Sequence, residues 1–198
     1  MNKDLLLTLI RHGETDGNQA MRWQGDTDVN LNENGRKQVI QVAERFKAIG
    51  YDLIMHSGMR RSYESALILG EELKIDWLKM LTALRDRSLG EIEGLSTEEI
   101  ERLFSFRMTN ILNERVDQIP GAETIAHLRW RVKTTRNYLL KKYAGKRVLA
   151  VSHGAFIRMF FKEFIEDPHS IRFTNCSFFT VRVEDDKTFL LEKSVEHI

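Results

Sequence analysis

Cysteine and proline are both scarce in this chain of 198 residues. Cys176 is its single cysteine, which excludes an internal disulfide and a Cys-rich zinc site and is typical of a reducing compartment. The two prolines, Pro120 and Pro168, are not accompanied by a Ser/Gly-rich linker, a low-complexity tract or a repeat that would mark a domain boundary. We therefore expect residues 1–198 to form a single domain.

A surplus of charge and a long hydrophobic run are absent as well. The 30 Lys and Arg residues nearly balance the 29 Asp and Glu residues, so the net charge of +1 does not indicate binding to nucleic acid. The N-terminal apolar run at residues 5–10 is too short for the core of a signal peptide and for a membrane span. These absences favour a globular cytoplasmic protein that binds neither nucleic acid nor a membrane.

Short apolar runs alternate with helical periodicities along the chain. Residues 5–10, 52–55 and 148–152 are predicted to be buried strands, and each is followed by a loop and a helical pattern. Residues 177–183 and 189–192 are predicted to form a closing hairpin. This alternation is typical of an α/β protein, and we expect a three-layer α/β/α sandwich with a mainly parallel central sheet.

Four helical segments surround these strands, and one further segment has a different character. The predicted helices are a stretch from Val39 that ends at Gly50, a stripe of Ala66, Leu67, Leu69 and Leu73, a long amphipathic helix from Ile125 to near Gly145, and residues 155–164. Residues 96–118 begin with a capping box at Ser96 and Glu99 and carry Leu103, Phe104 and Met108. We expect this segment to be a helical, lid-like insertion.

Two histidines follow predicted strands directly. His12 comes after the first strand and His153 after the third, and each is followed by a glycine, which lets a ligand approach the backbone. Taken singly, each histidine could be an ordinary structural residue at a strand end. Arg11 and Arg61 are expected at the same edge of the sheet, and such a positive cluster favours a bound dianion. Because arginine suits bidentate contact with phosphate, a phosphoryl group is the predicted ligand.

The residues around these four positions resemble the histidine phosphatase superfamily, also called phosphoglycerate-mutase-like. The signature of that family is Arg-His-Gly-Glu-Thr followed by an asparagine, and it stands here as residues 11–15 with Asn18. Further resemblance is found at Gln24-Gly25, at Leu31 with Gly35 and Gln38, and at residues 57–62, 84–86, 90–94, 120–124 and 151–155. The resemblance spans most of the chain in order, and it implies a phosphoglycerate-mutase-like fold.

The resemblance also implies roles for individual residues. His12 is implied as the nucleophile that becomes a phosphohistidine, with Arg11, Arg61 and His153 around the transferring phosphoryl group. Since these groups would neutralise the charge on the phosphoryl oxygens, neither a metal nor a cofactor is expected. Asp86 matches the position of the general acid, where many relatives have glutamate. The substrate-binding positions are Asn18, Gln24, Gly25 and Gly154.

Two of these positions have alternative interpretations. Asp86 is one methylene shorter than glutamate, and it could instead be a surface partner of Arg85 or Arg87. As an acid near neutral pH it would need a raised pKa, through burial or a nearby phosphate. Asn18 could donate to the phosphate, or it could simply form a turn beside Gly17.

Three functions remain open on the sequence alone. The predicted function is hydrolysis of a phosphomonoester on a small molecule, through the phosphohistidine at His12. The alternatives are a cofactor-dependent phosphoglycerate mutase and a non-catalytic phosphate-binding regulatory module, with a homodimer as an added property of any of them. The apolar residues of segment 96–118 favour a phosphatase that accepts partly hydrophobic esters.

Overall fold

The computed structural model describes residues 4–165, 171–194 and 196–197. Its strands are β1 (Leu5–Arg11), β2 (Leu53–His56), β3 (Leu78–Met80), β4 (Arg147–Ser152), β5 (Ile171–Arg172), β6 (Phe178–Val183), β7 (Thr188–Ser194) and β8 (Glu196–His197). Its helices are α1 (Asp16–Gln19), α2 (Glu33–Ala43), α3 (Arg60–Leu73), α4 (Thr97–Phe104), α5 (Ile125–Tyr143) and α6 (Gly154–Phe164). No helix in these ranges is long and apolar enough to cross a membrane.

Six of the strands form the central sheet, in the order β3-β2-β4-β1-β6-β7. The first four of that order run parallel, whereas β6 lies antiparallel to β1 and forms the predicted hairpin with β7. Arg11 lies opposite Ser152 in register, and His56 lies opposite Val151. The carboxyl ends of β1, β2 and β4 therefore meet at one edge of the sheet, as expected for parallel strands.

Helices cover both faces of this sheet, because successive side chains of a strand point to opposite sides. In β4, Leu149 and Val151 pack with the buried residues of α2 and α3, while Val148 and Ala150 pack with those of α5 and α6. Each face thus has its own apolar core. The prediction of a three-layer sandwich with a mainly parallel sheet is confirmed.

Some predicted boundaries were wrong. Helix α2 ends at Ala43 and tightens into a 3₁₀ turn at Glu44–Phe46, so it stops well before Gly50. The turn places Phe46 in the core, where it is almost fully buried. Leu67 is 38% exposed, since Ala66 and Leu69 face the sheet and Leu67 points about 100° away from Ala66 around the helix.

Segment 96–118 begins as predicted and then folds down onto the protein. The capping box at the start of α4 is present, with Ser96 Oγ accepting from the amide of Glu99 and the Glu99 carboxylate accepting from the amide of Ser96. Leu103 is 58% exposed, but Met108 is buried in the core. The fully buried Arg87 donates to the carbonyls at 111 and 113 and so ties the segment to the loop that follows Asp86. That this segment acts as a lid stays a prediction.

Candidate active site

The structure brings both histidines of the sheet edge into contact distance. The ring centroids of His12 and His153 are 5.1 Å apart, and both side chains are almost completely buried. Arg61, in the first turn of α3, is also fully buried, and its Nε lies 3.2 Å from Nε2 of His12. Three elements that are distant in sequence thus bring two imidazoles and one guanidinium into a single buried cluster.

His12 is held in one tautomer by its own neighbour. Its Nδ1 lies 2.7 Å from the carbonyl oxygen of Gly13, and because that oxygen can only accept, Nδ1 carries the proton. Nε2 then keeps its lone pair and accepts from Arg61. Burial, followed by the charges of Arg61 and Arg11, lowers the pKa of His12 well below its usual value. The imidazole is therefore neutral near pH 7, with Nε2 as its nucleophilic atom.

Two glycines let the loop after β1 pack closely enough to hold this geometry. A Cβ on Gly13 would overlap the carbonyl of Gly35, and a Cβ on Gly35 would overlap the backbone of Glu14. The amide of Glu14 also donates to Gln38 of α2. The loop that carries His12 is consequently fixed against the start of α2.

Two backbone carbonyl groups orient the side chain of Arg61. Its Nη2 donates to Gly25 at 2.8 Å and its Nη1 donates to Thr27 at 2.6 Å. Gly25 has a φ of +52°, and a Cβ there would overlap the carboxylate of Glu93. Gly25, predicted to bind substrate, is therefore placed as a support for Arg61 through its carbonyl.

His153 lies between β4 and α6 and has a partner that the sequence did not reveal. Its Nε2 is 2.7 Å from Oγ of Ser57, which is fully buried, while its buried Nδ1 has no hydrogen-bond partner within the described residues. Burial and the nearby charge of Arg61 lower the pKa of His153 well below its usual value. A charged His153 therefore requires an anion close to it.

Arg11 and Gly154 complete the cluster at the ends of β1 and β4. Arg11 donates from Nη1 to the carbonyl of Phe173 at 2.8 Å, and its charge contributes to the lowered pKa of both histidines. A Cβ on Gly154 would lie 3.9 Å from Nε of Arg11, which is ordinary van der Waals distance. A methyl group would therefore fit at position 154 beside the arginine.

Asp86 is buried next to Arg61. Its Oδ1 accepts from the amides of Ala155 and Arg87 at 3.0 and 3.1 Å, and its Oδ2 lies 3.9 Å from Nη2 of Arg61. Burial raises the pKa of Asp86, against the opposing effects of Arg61 and these amides. The pKa of Asp86 is therefore shifted in the direction that a general acid near neutral pH needs.

The alternative of a surface role for Asp86 is not what the structure shows. Its side chain is only 11% exposed. The two neighbouring arginines have other carboxylate partners, since Arg85 pairs with Asp26 at 3.1 Å and Arg87 pairs with Asp117 at 2.5 Å. Asp86 is left facing Arg61 within the cluster.

Asn18 and Gln24 both bind the loop around Thr15. Asn18 Oδ1 accepts from the amide and the hydroxyl of Thr15 and from Nδ2 of Asn175. Gln24 Oε1 accepts from the same hydroxyl at 3.0 Å. The turn-forming interpretation of Asn18 is therefore confirmed for its carbonyl oxygen, which caps α1.

Glu93 connects the two sides of the site, and sequence reasoning missed it. Its Oε1 accepts from the amides of Asp26 and Leu89 at 2.8 and 3.0 Å, and its Oε2 accepts from the hydroxyl of Thr27. It thereby joins the loop that aims Arg61 to the loop after Asp86. The sequence feature that could have revealed this role is a carboxylate within the glycine-containing motif at residues 90–94.

Arg131, in the middle of α5, was missed as well. Its five N–H groups donate to the carbonyls of Ala83, Arg85 and Asp86 and twice to the carboxylate of Glu123. The side chain thus supports the loop that carries Asp86. An arginine on a long amphipathic helix gives no signal of such a role.

A pocket of about 470 Å³ opens beside Asp86. Its ionisable lining residues are Asp26, Arg85, Asp86, Glu123, His127 and Arg131. The apolar residues of segment 96–118 do not line it, so the preference for a partly hydrophobic ester gains no support from this pocket and stays a prediction. Most of those side chains pack into or against the core instead, whereas Leu103 is exposed.

Comparison with known proteins agrees with this geometry. Residues 7–195 match the histidine phosphatase superfamily (branch 1). The uncharacterized phosphatase PhoE of Bacillus subtilis is 31% identical over 182 residues, which cover 90% of this chain and 89% of PhoE. A metal-independent phosphoserine phosphatase of Arabidopsis thaliana is 28% identical over 184 residues, covering 91% and 77% of the two chains.

A solved structure shows the same fold. YhfR of Bacillus stearothermophilus superposes with a TM-score of 0.83 at 24% identity, covering 94% of this chain and 95% of that one. The chain belongs to the histidine phosphatase superfamily and has its phosphoglycerate-mutase-like fold. Relatives with phosphatase and with mutase names both match, and the phosphatases among them support a phosphatase.

The two buried histidines predict how stability depends on pH. Because the folded-state pKa of His12 and of His153 lies well below 6.5, the unfolded chain binds protons that the folded chain does not as the pH falls below about 6.5. The contribution of these histidines to the free energy of unfolding is fully present above the pKa of histidine in the unfolded chain. It is lost on acidification, and the free energy of unfolding falls by up to about 1.4 kcal/mol per pH unit for each histidine.

Urea unfolding between about pH 7.5 and about pH 5.5 measures this slope. The range stays above the titration of Glu14, Asp52 and Glu163, whose pKa values are lowered. Burial lowers the pKa of His56 as well, which adds to the slope, whereas the raised pKa of Asp86 opposes it. The His153→Gln variant should show a shallower slope than the unchanged chain. A slope that His153→Gln leaves unchanged would contradict the neutral state assigned to this histidine.

Proposed function

We propose that the chain hydrolyses phosphomonoesters by transferring the phosphoryl group first to Nε2 of His12 and then to water. The observation that carries this proposal is the hydrogen bond from Nδ1 to the carbonyl of Gly13 at 2.7 Å. It leaves the lone pair of Nε2 for an in-line attack on phosphorus. The lowered pKa keeps that lone pair unprotonated.

Arg11, Arg61 and His153 stabilise the charge on the phosphoryl oxygens. Two carbonyls fix the guanidinium of Arg61 in place. Its Nε–H, which donates to Nε2 of His12 in the structure, passes to a phosphoryl oxygen, and this releases the lone pair of Nε2 for attack. The bound phosphate dianion raises the pKa of His153, whose unpartnered Nδ1 gives it a further polar atom for the phosphate. We propose that these three cations perform the role that Mg²⁺ has in other phosphoryl-transfer enzymes, so that the reaction needs no metal.

Asp86 donates a proton in the first step and accepts one in the second. In the first, the P–O bond to the alcohol breaks as the N–P bond to His12 forms, and the carboxyl proton of Asp86 passes to the leaving oxygen. In the second, water attacks phosphorus, its proton returns to the Asp86 carboxylate, and the N–P bond breaks to release phosphate. The raised pKa of Asp86 suits this exchange near neutral pH.

The proposed substrate-binding residues act mainly through the loops around the phosphate. With the Asn18 carbonyl occupied by Thr15 and Asn175, its amide nitrogen is the group that would donate to phosphate. Gln24 orders the same loop, and Gly154 begins α6 next to Arg11. The substrate we propose is a phosphorylated small molecule; a cytoplasmic location and a homodimer stay predictions.

The charge of the pocket favours hydrolysis over the mutase reaction. A mutase holds a second anionic group while it retains its phosphoenzyme, which calls for surplus positive charge. Here Arg85 is paired with Asp26 and Arg131 with Glu123. A non-catalytic module is disfavoured by the presence of all of Arg11, His12, Arg61 and His153.

Release of inorganic phosphate in the presence of a chelator tests this proposal. We expect p-nitrophenyl phosphate to be hydrolysed at an unchanged rate after exhaustive treatment with EDTA. With 3-phosphoglycerate, we expect phosphate release to be faster than the formation of 2-phosphoglycerate. Loss of activity in EDTA that a divalent ion restores would overturn metal independence. Isomerisation that outpaces phosphate release would establish the mutase reaction instead.

A further inference from the structure

Ser57 is a buried polar residue beside the cluster that no step described above uses. It lies in the turn between β2 and α3, and it is fully buried. Its Oγ is 2.7 Å from Nε2 of His153. A hydrogen bond between a hydroxyl and a neutral imidazole can run in either direction, because each group has a proton and a lone pair. The direction decides which nitrogen of His153 carries the ring proton.

The second contact of Ser57 fixes this direction. Its Oγ accepts from the amide of Met59 at 3.3 Å, so one of its lone pairs is already used. Within the part of the chain that the structure describes, Nε2 of His153 is the one acceptor that the hydroxyl proton reaches. The hydroxyl therefore donates to Nε2, and the ring proton of neutral His153 is on Nδ1.

The opposite direction would leave two buried groups unpaired. If Nε2 carried the proton and donated to Ser57, the hydroxyl proton would lack an acceptor among the described residues. Nδ1 of His153, which has no hydrogen-bond partner in the same residues, would then hold a buried lone pair. Because an unpaired buried polar group costs free energy, the form with the proton on Nδ1 is favoured.

The surroundings of His153 make the position of its proton important. Burial and nearby charge lower the pKa of His153 well below its usual value, so the ring is neutral and has a single N–H group. The groups that face it from other elements are Arg61, His12, Arg11 and Arg131, and Asp86 accepts from the amide of Ala155 in the first turn of α6. A neutral ring attracts a phosphoryl oxygen with its N–H group and repels it with its lone pair.

Ser57 is held against the strand that leads to His153. Its amide donates to Oγ of Ser62 at 3.1 Å, and the hydroxyl of Ser62 donates to the carbonyl of Val151 at 2.9 Å. Val151 belongs to β4, which ends one residue before His153. The hydroxyl of Ser57 and the imidazole are thus both positioned from the end of one strand.

We propose that Ser57 is a positioning residue whose hydroxyl holds neutral His153 in the Nδ1–H form, so that Nδ1–H donates to an oxygen of the bound phosphoryl group. The inference rests on the proposed phosphatase function for the identity of this anion. When the ring takes up a proton from solvent beside the dianion, the new Nε2–H donates to the second lone pair of Oγ. Ser57 therefore serves both protonation states of His153.

Nuclear magnetic resonance of the unchanged protein tests the position of the proton directly. With nitrogen-15-labelled histidine, correlations between the carbon-bound ring protons and the ring nitrogens distinguish the Nδ1–H form from the Nε2–H form. At about pH 7.5 we expect the signals of His153, identified by their absence in His153→Gln, to show a protonated Nδ1 and an unprotonated Nε2. Any other protonation state of this ring would overturn the proposal.

Two substitutions of Ser57 test the role of its hydroxyl. In Ser57→Ala the Nε2–H form should appear, and inorganic phosphate should bind at least about tenfold more weakly, because a lone pair of Nδ1 then faces the anion. The value of kcat/KM for p-nitrophenyl phosphate should fall by a similar factor. Ser57→Thr keeps the hydroxyl and should keep the Nδ1–H form.

The same measurements on these variants can refute the role of Ser57. A folded Ser57→Ala protein that retains only the Nδ1–H form, or that binds phosphate as tightly as the unchanged chain, would show that the hydroxyl does not set the state of His153. Loss of the Nδ1–H form in a folded Ser57→Thr protein would show the same.

Ser152→Ala is the matched control. Ser152 is also fully buried and is the neighbour of His153 in the chain, but its hydroxyl donates to the carbonyl of Leu84 at 2.7 Å. Its substitution should change neither the position of the ring proton nor the affinity for phosphate. If it changes them as Ser57→Ala does, the effect comes from packing and the proposal is wrong.

Neither the ring proton nor phosphate binding requires turnover, and this separates the inference from the proposed function. If p-nitrophenyl phosphate is not hydrolysed, but the Nδ1–H form is present and Ser57→Ala weakens phosphate binding, the phosphatase is overturned and the role of Ser57 remains. Hydrolysis by a protein whose His153 carries its proton on Nε2 overturns the role of Ser57 and leaves the phosphatase in place.

Discussion

Replacing His12 with alanine should lower kcat/KM for p-nitrophenyl phosphate by roughly 10⁴–10⁶-fold, the range for loss of a catalytic nucleophile. The expected loss is this large because the lone pair of Nε2 attacks phosphorus and no neighbour can replace it. His153, the nearest imidazole, has its Nε2 hydrogen-bonded to Ser57 and its ring centroid 5.1 Å from that of His12. Steady-state rates with an aryl ester measure the effect.

His56 provides a matched control for this substitution. It is also buried near the end of a strand, but its ring contacts Tyr63 and its Nδ1 accepts from the amide of Gly58. His56→Gln should stay within about tenfold of the unchanged rate. A His12→Ala protein that is folded, as judged by circular dichroism, and keeps more than about one hundredth of the activity would contradict the role of His12.

Replacing Asp86 with asparagine should slow hydrolysis of alkyl phosphates by roughly 10²–10⁴-fold, the usual contribution of general acid catalysis. Aryl phosphates should be affected much less in the phosphorylation step, because a phenolate leaves with little protonation whereas an alkoxide leaves hardly at all without it. Comparing single-turnover rates of an alkyl and an aryl ester measures the difference.

Asp86→Glu serves as the conservative variant in the same experiment. Glutamate keeps the carboxyl group and adds one methylene, so Asp86→Glu should restore much of the alkyl rate that Asp86→Asn loses. An equal loss on alkyl and aryl esters would assign Asp86 to binding, through its contacts with Arg61 and the amide of Ala155. Such a result would remove the proton donor from the mechanism.

The fold was predictable from the sequence where the pattern was strong. The buried strands β1 and β4 are continuous apolar runs, and Ser96 and Glu99 form the capping box that their spacing indicates. Strand β3 was missed because Leu78–Met80 is short, lies at the edge of the sheet and is interrupted by a lysine. Helix α1 was missed because its four residues, Asp16–Gln19, are read from sequence as a polar loop.

The positions of the candidate site were predictable to the extent that a motif contained them. His12, Arg61 and His153 follow strands whose parallel order places them at one edge, and the structure brings them together. The partners of these side chains were not predictable. Ser57 and Glu93 act through hydrogen bonds across 96 residues and 67 residues of sequence, and no local pattern specifies such contacts.

The pocket shows a different limit of sequence reasoning. Apolar side chains at helical spacing fit both a lid over a ligand and a packed core, and in segment 96–118 most of them pack into or against the core. The charged residues that do line the pocket, such as Asp26 and Arg85, are polar loop residues in the sequence. Only their distance of 3.1 Å distinguishes them from ordinary solvated charges.

Trapping the phosphoenzyme tests the central claim most directly. In Asp86→Asn an aryl phosphate should still phosphorylate His12, whereas water lacks the carboxylate that accepts its proton, so the intermediate should accumulate. Quenching in base, because a phosphoramidate is acid-labile, followed by peptide mapping should place one phosphoryl group on His12 and none in Asp86→Asn combined with His12→Ala. Absence of a phosphorylated intermediate, or a phosphoryl group on another residue, would contradict the account.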